Sequence, residues 1–140
     1  MKENIITGTI GFIGAAIASL YGGWDAALTT LIIFMAVDYL SGLVVAGVFK
    51  ASPKSENGAL ESRAGWKGLM RKGFSLLMVL VACRLDLLIG TTVIRDATVI
   101  AICANELISF VENLGLMGVP VPAPISKAID ILKNKSEEDK

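Results

Sequence analysis

Histidine is absent from this sequence, and with it imidazole acid–base chemistry and the commonest metal ligand. Cysteine is nearly absent. Cys83 and Cys103 each lie inside a long apolar stretch, which makes them small apolar fillers rather than a disulfide framework. Charged residues are scarce at 19%, and acidic and basic residues cancel. There is no glycine-rich loop that would cradle a phosphate, no cluster of metal ligands, and no nucleophile–base pair outside the apolar stretches. These absences point away from an enzyme, and no cofactor or metal is expected. No repeat is visible, and no polar run is long enough to build a separate soluble domain.

What is abundant is apolar: 54% of 140 residues are hydrophobic. The expected architecture is a single all-α membrane domain over 1–140 with about four transmembrane helices. The spans read as about 5–22, 26–49, 74–94 and 97–118. The connection 50–73 holds Lys50, Lys54, Arg63, Lys67, Arg71 and Lys72 against Glu56 and Glu61. The tail, 124–140, adds Lys127, Lys133, Lys135 and Lys140, whereas the other two connections carry only Asp25, and Arg95 with Asp96. The positive-inside rule then places both termini and the central loop in the cytoplasm, which an even number of spans permits. Topology thus accounts for the basic loop, and nothing points to nucleic acid.

The first span invites comparison with a signal peptide, because Ala16-Ile17-Ala18 resembles a cleavage site. Glu3 cancels Lys2, however, so the charged leader is poor. Gly8, Gly11, Gly14, Ala15 and Ala18 also project on one face, opposite Ile6, Ile10, Ile13 and Ile17. Small residues let helices approach closely in lipid, so the span is read as retained and as a helix-packing surface, with Gly42 playing the same part in the second span.

Polar groups inside the spans need a reason, because a carboxylate in hydrocarbon costs at least ~2.5–3.5 kcal/mol on insertion scales. In the fourth span, Asn105, Glu106, Ser109, Glu112 and Asn113 fall in one arc of roughly 120° at 100° per residue. By helical rise, Asp38, Arg84 and Glu106 approach a common depth, so Arg84 is the natural ion-pair partner for Asp38 or Glu106. Asp86 lies on a different side of its helix from Arg84 and must face another neighbour. Two uses fit these groups. They lock the bundle together, or Asp86, Asn105, Glu106, Ser109, Glu112 and Asn113 line an aqueous lumen.

Two cytoplasmic segments read as interfacial amphipathic helices. In 58–72, Leu60, Trp66 and Met70 mix with Arg63, Lys67, Arg71 and Lys72, which suits a membrane surface bearing anionic lipid. After Pro120, Pro122 and Pro124, the spacing of Ile125, Ala128, Ile129 and Leu132 predicts a second such helix.

Three motifs carry a family resemblance over about residues 35–135. Asp38-Tyr39-Leu40-Ser41-Gly42 looks like an Asp-aromatic-x-Thr/Ser-Gly signature, and Ser62, Gly65, Gly68 and Arg71-Lys72-Gly73 like a glycine-spaced basic run. The most specific is Asn105-Glu106-Leu107-Ile108-Ser109-Phe110-Val111-Glu112-Asn113, followed by Gly118-Val119-Pro120-Val121-Pro122. Together these resemble the toxin-secretion and phage-lysis holins of Gram-positive phages and clostridial toxin loci. The resemblance implies a protein that accumulates in the bacterial host's cytoplasmic membrane, oligomerises with itself, and opens lesions at a set time. A cell-wall hydrolase (endolysin) or a toxin then crosses without a stable complex. Two other readings stay open: a small proton- or cation-coupled transporter using Glu106 and Asp38, and a passive membrane scaffold subunit.

Overall fold

The computed structural model describes residues 1–138, and Lys140 of the tail lies outside them. Five helices follow in order: α1 (Lys2–Leu20), α2 (Ala26–Gly47), α3 (Ser62–Ile89), α4 (Val93–Leu116) and α5 (Ala123–Glu138), with no strand among the described residues. Three of them, α1, α2 and α4, are long and apolar enough to cross a membrane. The all-helical expectation therefore holds, and the ends of the first, second and fourth spans move by only a few residues.

The third span is different. The basic stretch expected as a separate surface helix is continuous with it, so α3 runs 28 residues from Ser62 to Ile89. No proline or turn signal falls within 62–73 to break the helix; the breakers, Pro53 and Asn57-Gly58, come earlier. An 18-residue stretch ending at Ile89 already takes in Lys72 beside Arg84 and Asp86, which is why α3 is less apolar than its neighbours.

The turn between α3 and α4 is built by Asp86. Gly90 closes α3 in the left-handed region at φ 79°, and the N–H groups of Gly90 and Thr91 both donate to the Asp86 carbonyl. The Asp86 carboxylate in turn accepts from the N–H groups of Ile94 and Arg95, at 3.0 and 2.8 Å, and from the Thr91 hydroxyl. It thereby supplies the cap that Thr92 does not, at the end of α4 where the helix dipole favours negative charge.

The core lies between α2, α3 and α4, around Leu28, Leu31, Met35, Val79, Val99 and Cys103. The α2–α4 contact is the largest, and α3 lies mainly on α4. Lipid tails are as apolar as leucine, so this packing by itself gives little reason for the helices to prefer one another over lipid. Polar contacts must help to hold them.

The remaining helices are peripheral. No residue of α1 is buried, and Gly8, Gly11 and Gly14 have nothing near the place a Cβ would occupy. Its tie to the bundle is Tyr21, whose hydroxyl donates to the Leu76 carbonyl. Helix α5 was expected to lie on the membrane surface; instead it turns back after Gly118 and packs on α4. Its Lys135 and Ser136 reach the hollow lined by Thr92 and Asp96, at the far end of α4. The reason is the apolar stripe at Ile129 and Leu132, which covers a helix as readily as it covers lipid.

Candidate intramembrane ionic site

Lys72 joins the three core helices. Its ammonium lies 2.7 Å from Asp38 Oδ2 on α2 and also bonds Glu106 Oε2 on α4. All three side chains are largely withdrawn from solvent, at 14, 7 and 12% exposure. The same carboxylate is held from its other side, where Asn113 Nδ2 donates to Asp38 Oδ1 at 3.1 Å, to the Asp38 carbonyl at 3.2 Å and to Ser41 Oγ at 2.8 Å. Gly42, one turn along α2, also faces this amide; a Cβ there would lie 3.7 Å from Asn113 Nδ2, an ordinary van der Waals contact, so the approach does not require glycine. One cation, two carboxylates, an amide and a hydroxyl thus form one network across α2, α3 and α4.

The expected ion pair is corrected by this arrangement. Arg84 is exposed and makes no salt bridge among the described residues, whereas Lys72, twelve positions earlier, is the cation at the level of Asp38 and Glu106. The error follows from the helix boundary. With α3 starting at Ser62, Lys72 is about 25 Å from the Ile89 end by helical rise, and Asp38 and Glu106 are about 18–20 Å from their own outer ends. The signal lies in the motif Arg71-Lys72-Gly73, where Lys72 turns inward while Arg63, Trp66 and Lys67 lie exposed.

The polar arc of α4 divides. Glu106, Ser109 and Asn113 turn into the bundle, Asn105 is exposed at the edge of a cavity that Glu106 and Ser109 also line, and Glu112 is exposed. The cavity holds about 400 Å³ and is walled by α2, α3, α4 and the 48–61 connection, with Tyr39, Lys54, Glu61 and Arg71 among its lining residues. Asp86 is not in it, being committed to the α3–α4 turn.

A second ionic knot at the opposite end was not foreseen. Arg95 grips Asp25 with two parallel bonds of 2.9 and 3.0 Å, touches Asp96 at 3.2 Å, and donates from Nε to the Tyr21 carbonyl at 2.9 Å. Asp25 also caps α2 by accepting from Leu28 N at 2.9 Å. The Arg95 guanidinium, followed by the Leu28 N–H, holds the Asp25 carboxyl below its ordinary value of 3.8. The signal available in the sequence was Asp25 standing immediately before an apolar run, the position of a helix cap.

Helices long enough to span a bilayer, joined through a buried ionic network and carrying no group of residues suited to a metal among the described residues, define a helical membrane protein. The family model described as the bacteriophage holin family matches residues 15–134. The chain belongs to that family, and the resemblance drawn from its motifs is borne out. A relative named a probable holin, from Bacillus phage phi105, is 31% identical over 79% of this chain and 77% of its own. An uncharacterized protein of Listeria monocytogenes is 38% identical over 99% of this chain and 94% of its own. An uncharacterized 14.9 kDa protein in the nagH 3′ region of Clostridium perfringens is 35% identical over 94 and 96%. No solved structure matches.

Proposed function

We propose that this protein is a holin of the bacterial cytoplasmic membrane, which oligomerises and opens lesions through which an endolysin or a toxin crosses. The observation that carries this reading is the family match across residues 15–134. The fold is compatible with it: apolar helices, a polar network inside them, and α1 with its small-residue face uncovered.

In this reading α3 is a fourth crossing. Its charge is accommodated because Lys72 meets Asp38 and Glu106, and Asp86 is taken up by the turn at the helix end. Arg84, unpaired among the described residues and about 7.5 Å from the Ile89 end by helical rise, can extend its side chain to the outer interface. The N-terminus and the basic connection face the cytoplasm. So does the tail, because Lys127, Asp130, Lys133, Lys135, Glu137 and Glu138 are too many charges for hydrocarbon. In the bilayer α5 therefore exchanges its contact with α4 for the membrane surface. Single cysteines at positions 67 and 135, with Cys83 and Cys103 replaced, should resist an impermeant maleimide in intact cells before any lesion opens. Labelling at either position would overturn this topology.

Asn105 and Glu112 are the exposed polar groups of α4 that can face water between subunits without breaking the Lys72 network. The direct test is regulated expression with an endolysin that has no export signal of its own. Hydrolase activity should appear outside the membrane and culture density should fall; full membrane accumulation without release would sink the reading. Glu112→Gln should insert at least as well as the parent and shift the onset of lysis.

The pairing of Asp38 and Glu106 on one ammonium beside a cavity favours, as a second reading, a cation- or proton-coupled transporter. The same experiment separates the two, since a transporter keeps the membrane sealed to a hydrolase.

A further inference from the structure

We propose that the cavity between α2, α3, α4 and the 48–61 connection binds the phosphate-bearing headgroup of a membrane phospholipid, with Lys54 and Arg71 as the phosphate-holding side chains. This rests on membrane insertion alone and not on lesion formation.

The cavity has a closed floor and a charged mouth. At the floor, the carboxylates of Asp38 and Glu106 share the single ammonium of Lys72, and the positive field of Lys54 acts on the same carboxylate of Asp38. At the mouth, Lys54 and Arg71 line the space, and neither makes an ion pair or a side-chain hydrogen bond among the described residues. Ser55, also lining the cavity, adds a hydroxyl whose oxygen is buried and has no hydrogen-bond partner among the described residues. A buried donor without an acceptor costs free energy, and a phosphate oxygen would satisfy it. Among the described residues Glu61 is the one lining carboxylate without a cation; it suits the hydroxyl or ammonium end of a headgroup rather than its phosphate.

The mouth is built rather than loose. Ser52 N–H donates to the Gly58 carbonyl at 3.0 Å, Ala51 N–H to the Val45 carbonyl at 3.1 Å, and Lys54 N–H to Ser52 Oγ at 3.3 Å. Gly58 sits at φ 76°, where a Cβ would collide with the Lys50 carbonyl oxygen, so the loop closes only with glycine there. Lys54 and Arg71 are thus presented on a hydrogen-bonded loop and a helix.

The location selects lipid as the source of phosphate. The cavity opens at the basic end of α3, where Trp66 is 63% exposed and Phe74 63% exposed on the outer surface of the helix. An exposed tryptophan among lysines and arginines marks the headgroup level of a bilayer. Phosphodiesters are the most abundant anions at that level, and an arginine fork with a lysine matches their oxygens.

The test uses the full chain in detergent with short-chain phosphatidylglycerol and phosphatidylethanolamine, inorganic phosphate and glycerol 3-phosphate, read by thermal unfolding and native mass spectrometry. Phospholipid should raise the melting temperature saturably. The variant carrying Lys54→Gln and Arg71→Gln should bind roughly tenfold more weakly or worse, as expected for losing charge-assisted bonds. A second variant of equal charge loss, with Lys2→Gln and Lys133→Gln on α1 and α5 away from the cavity, should bind like the parent. Equal binding by all three proteins, or equal loss in both variants, overturns the site. Saturation by inorganic phosphate at the same concentration as by phospholipid overturns the lipid assignment. No lesion is needed for any of these readouts, so their failure and the failure of the holin reading are separable.

Discussion

Two ionic clusters hold this bundle, and they differ in what surrounds them. The inner one, Lys72 with Asp38, Glu106, Ser41 and Asn113, connects three helices through side chains that are almost wholly buried. The outer one, Arg95 with Asp25, Asp96 and the Tyr21 carbonyl, ties a turn to a helix start, and its acidic members are 49 and 63% exposed. A buried charge has no water to fall back on, so each member of the inner cluster depends on the others. The exposed carboxylates of the outer cluster regain hydration when released. The inner network therefore decides whether the helices stay together, and the outer knot only shapes the connection between them.

The sharpest way to break that contrast is Lys72→Met. It strands two carboxylates in the interior, and removing one side of a buried pair costs about 3–5 kcal/mol. Membrane accumulation should collapse, and the detergent-solubilised protein should lose its cooperative melting transition. Adding Asp38→Asn and Glu106→Gln to Lys72→Met should recover much of the loss, because no charge then remains unpaired. A Lys72→Met protein as stable as the parent would show that the inner cluster is ornamental to the fold.

The sequence carried one side of this contrast well and the other poorly. Spacing alone turned Glu106, Ser109 and Asn113 to one face, since 3.6-residue periodicity needs no knowledge of neighbours. Asp38 was recognisable as a charge that needs a counterion. Which cation supplies it depended on where α3 begins, and a run of lysines and glycines between two turn signals reads equally well as a surface segment. Arg84 is the cation inside the apolar stretch; Lys72 is the one that meets Asp38, because the helix continues upstream through it. The outer knot was hidden for another reason. Asp25 and Arg95 are 70 positions apart along the chain and meet only once α2 and α4 are packed.

Asn113→Ala offers an intermediate test. The amide spans Asp38 and Ser41, so its loss removes three hydrogen bonds but leaves the Lys72 ion pairs in place. Interhelical hydrogen bonds within membranes are modest on average, so the loss should be about 1–2 kcal/mol. Thermal unfolding in detergent should place this variant between Lys72→Met and the parent. If it matches Lys72→Met, the amide holds α2 to α4 as strongly as the ammonium does.

The smallest effect is expected at Asp25. Asparagine is as good a helix cap, so Asp25→Asn keeps the acceptor for Leu28 N while removing the charge that Arg95 grips. An ion pair with a half-exposed member contributes about 0.2–1 kcal/mol, and salt screens it further. The pH dependence follows from the lowered carboxyl. The folded protein holds Asp25 ionised more strongly than the unfolded chain, whose ordinary value is 3.8, so this stabilisation is fully present above that value. It fades as pH falls through the lower folded value. Between pH 5 and 8 the parent should therefore melt slightly above Asp25→Asn by a constant margin, and below about pH 4 the margin should close. Melting curves across pH 3–8 decide it. A margin as wide as that of Lys72→Met would mean that the outer knot carries the bundle as heavily as the inner network does, and one that persists unchanged at the acidic end would mean that the charge of Asp25 is not its source.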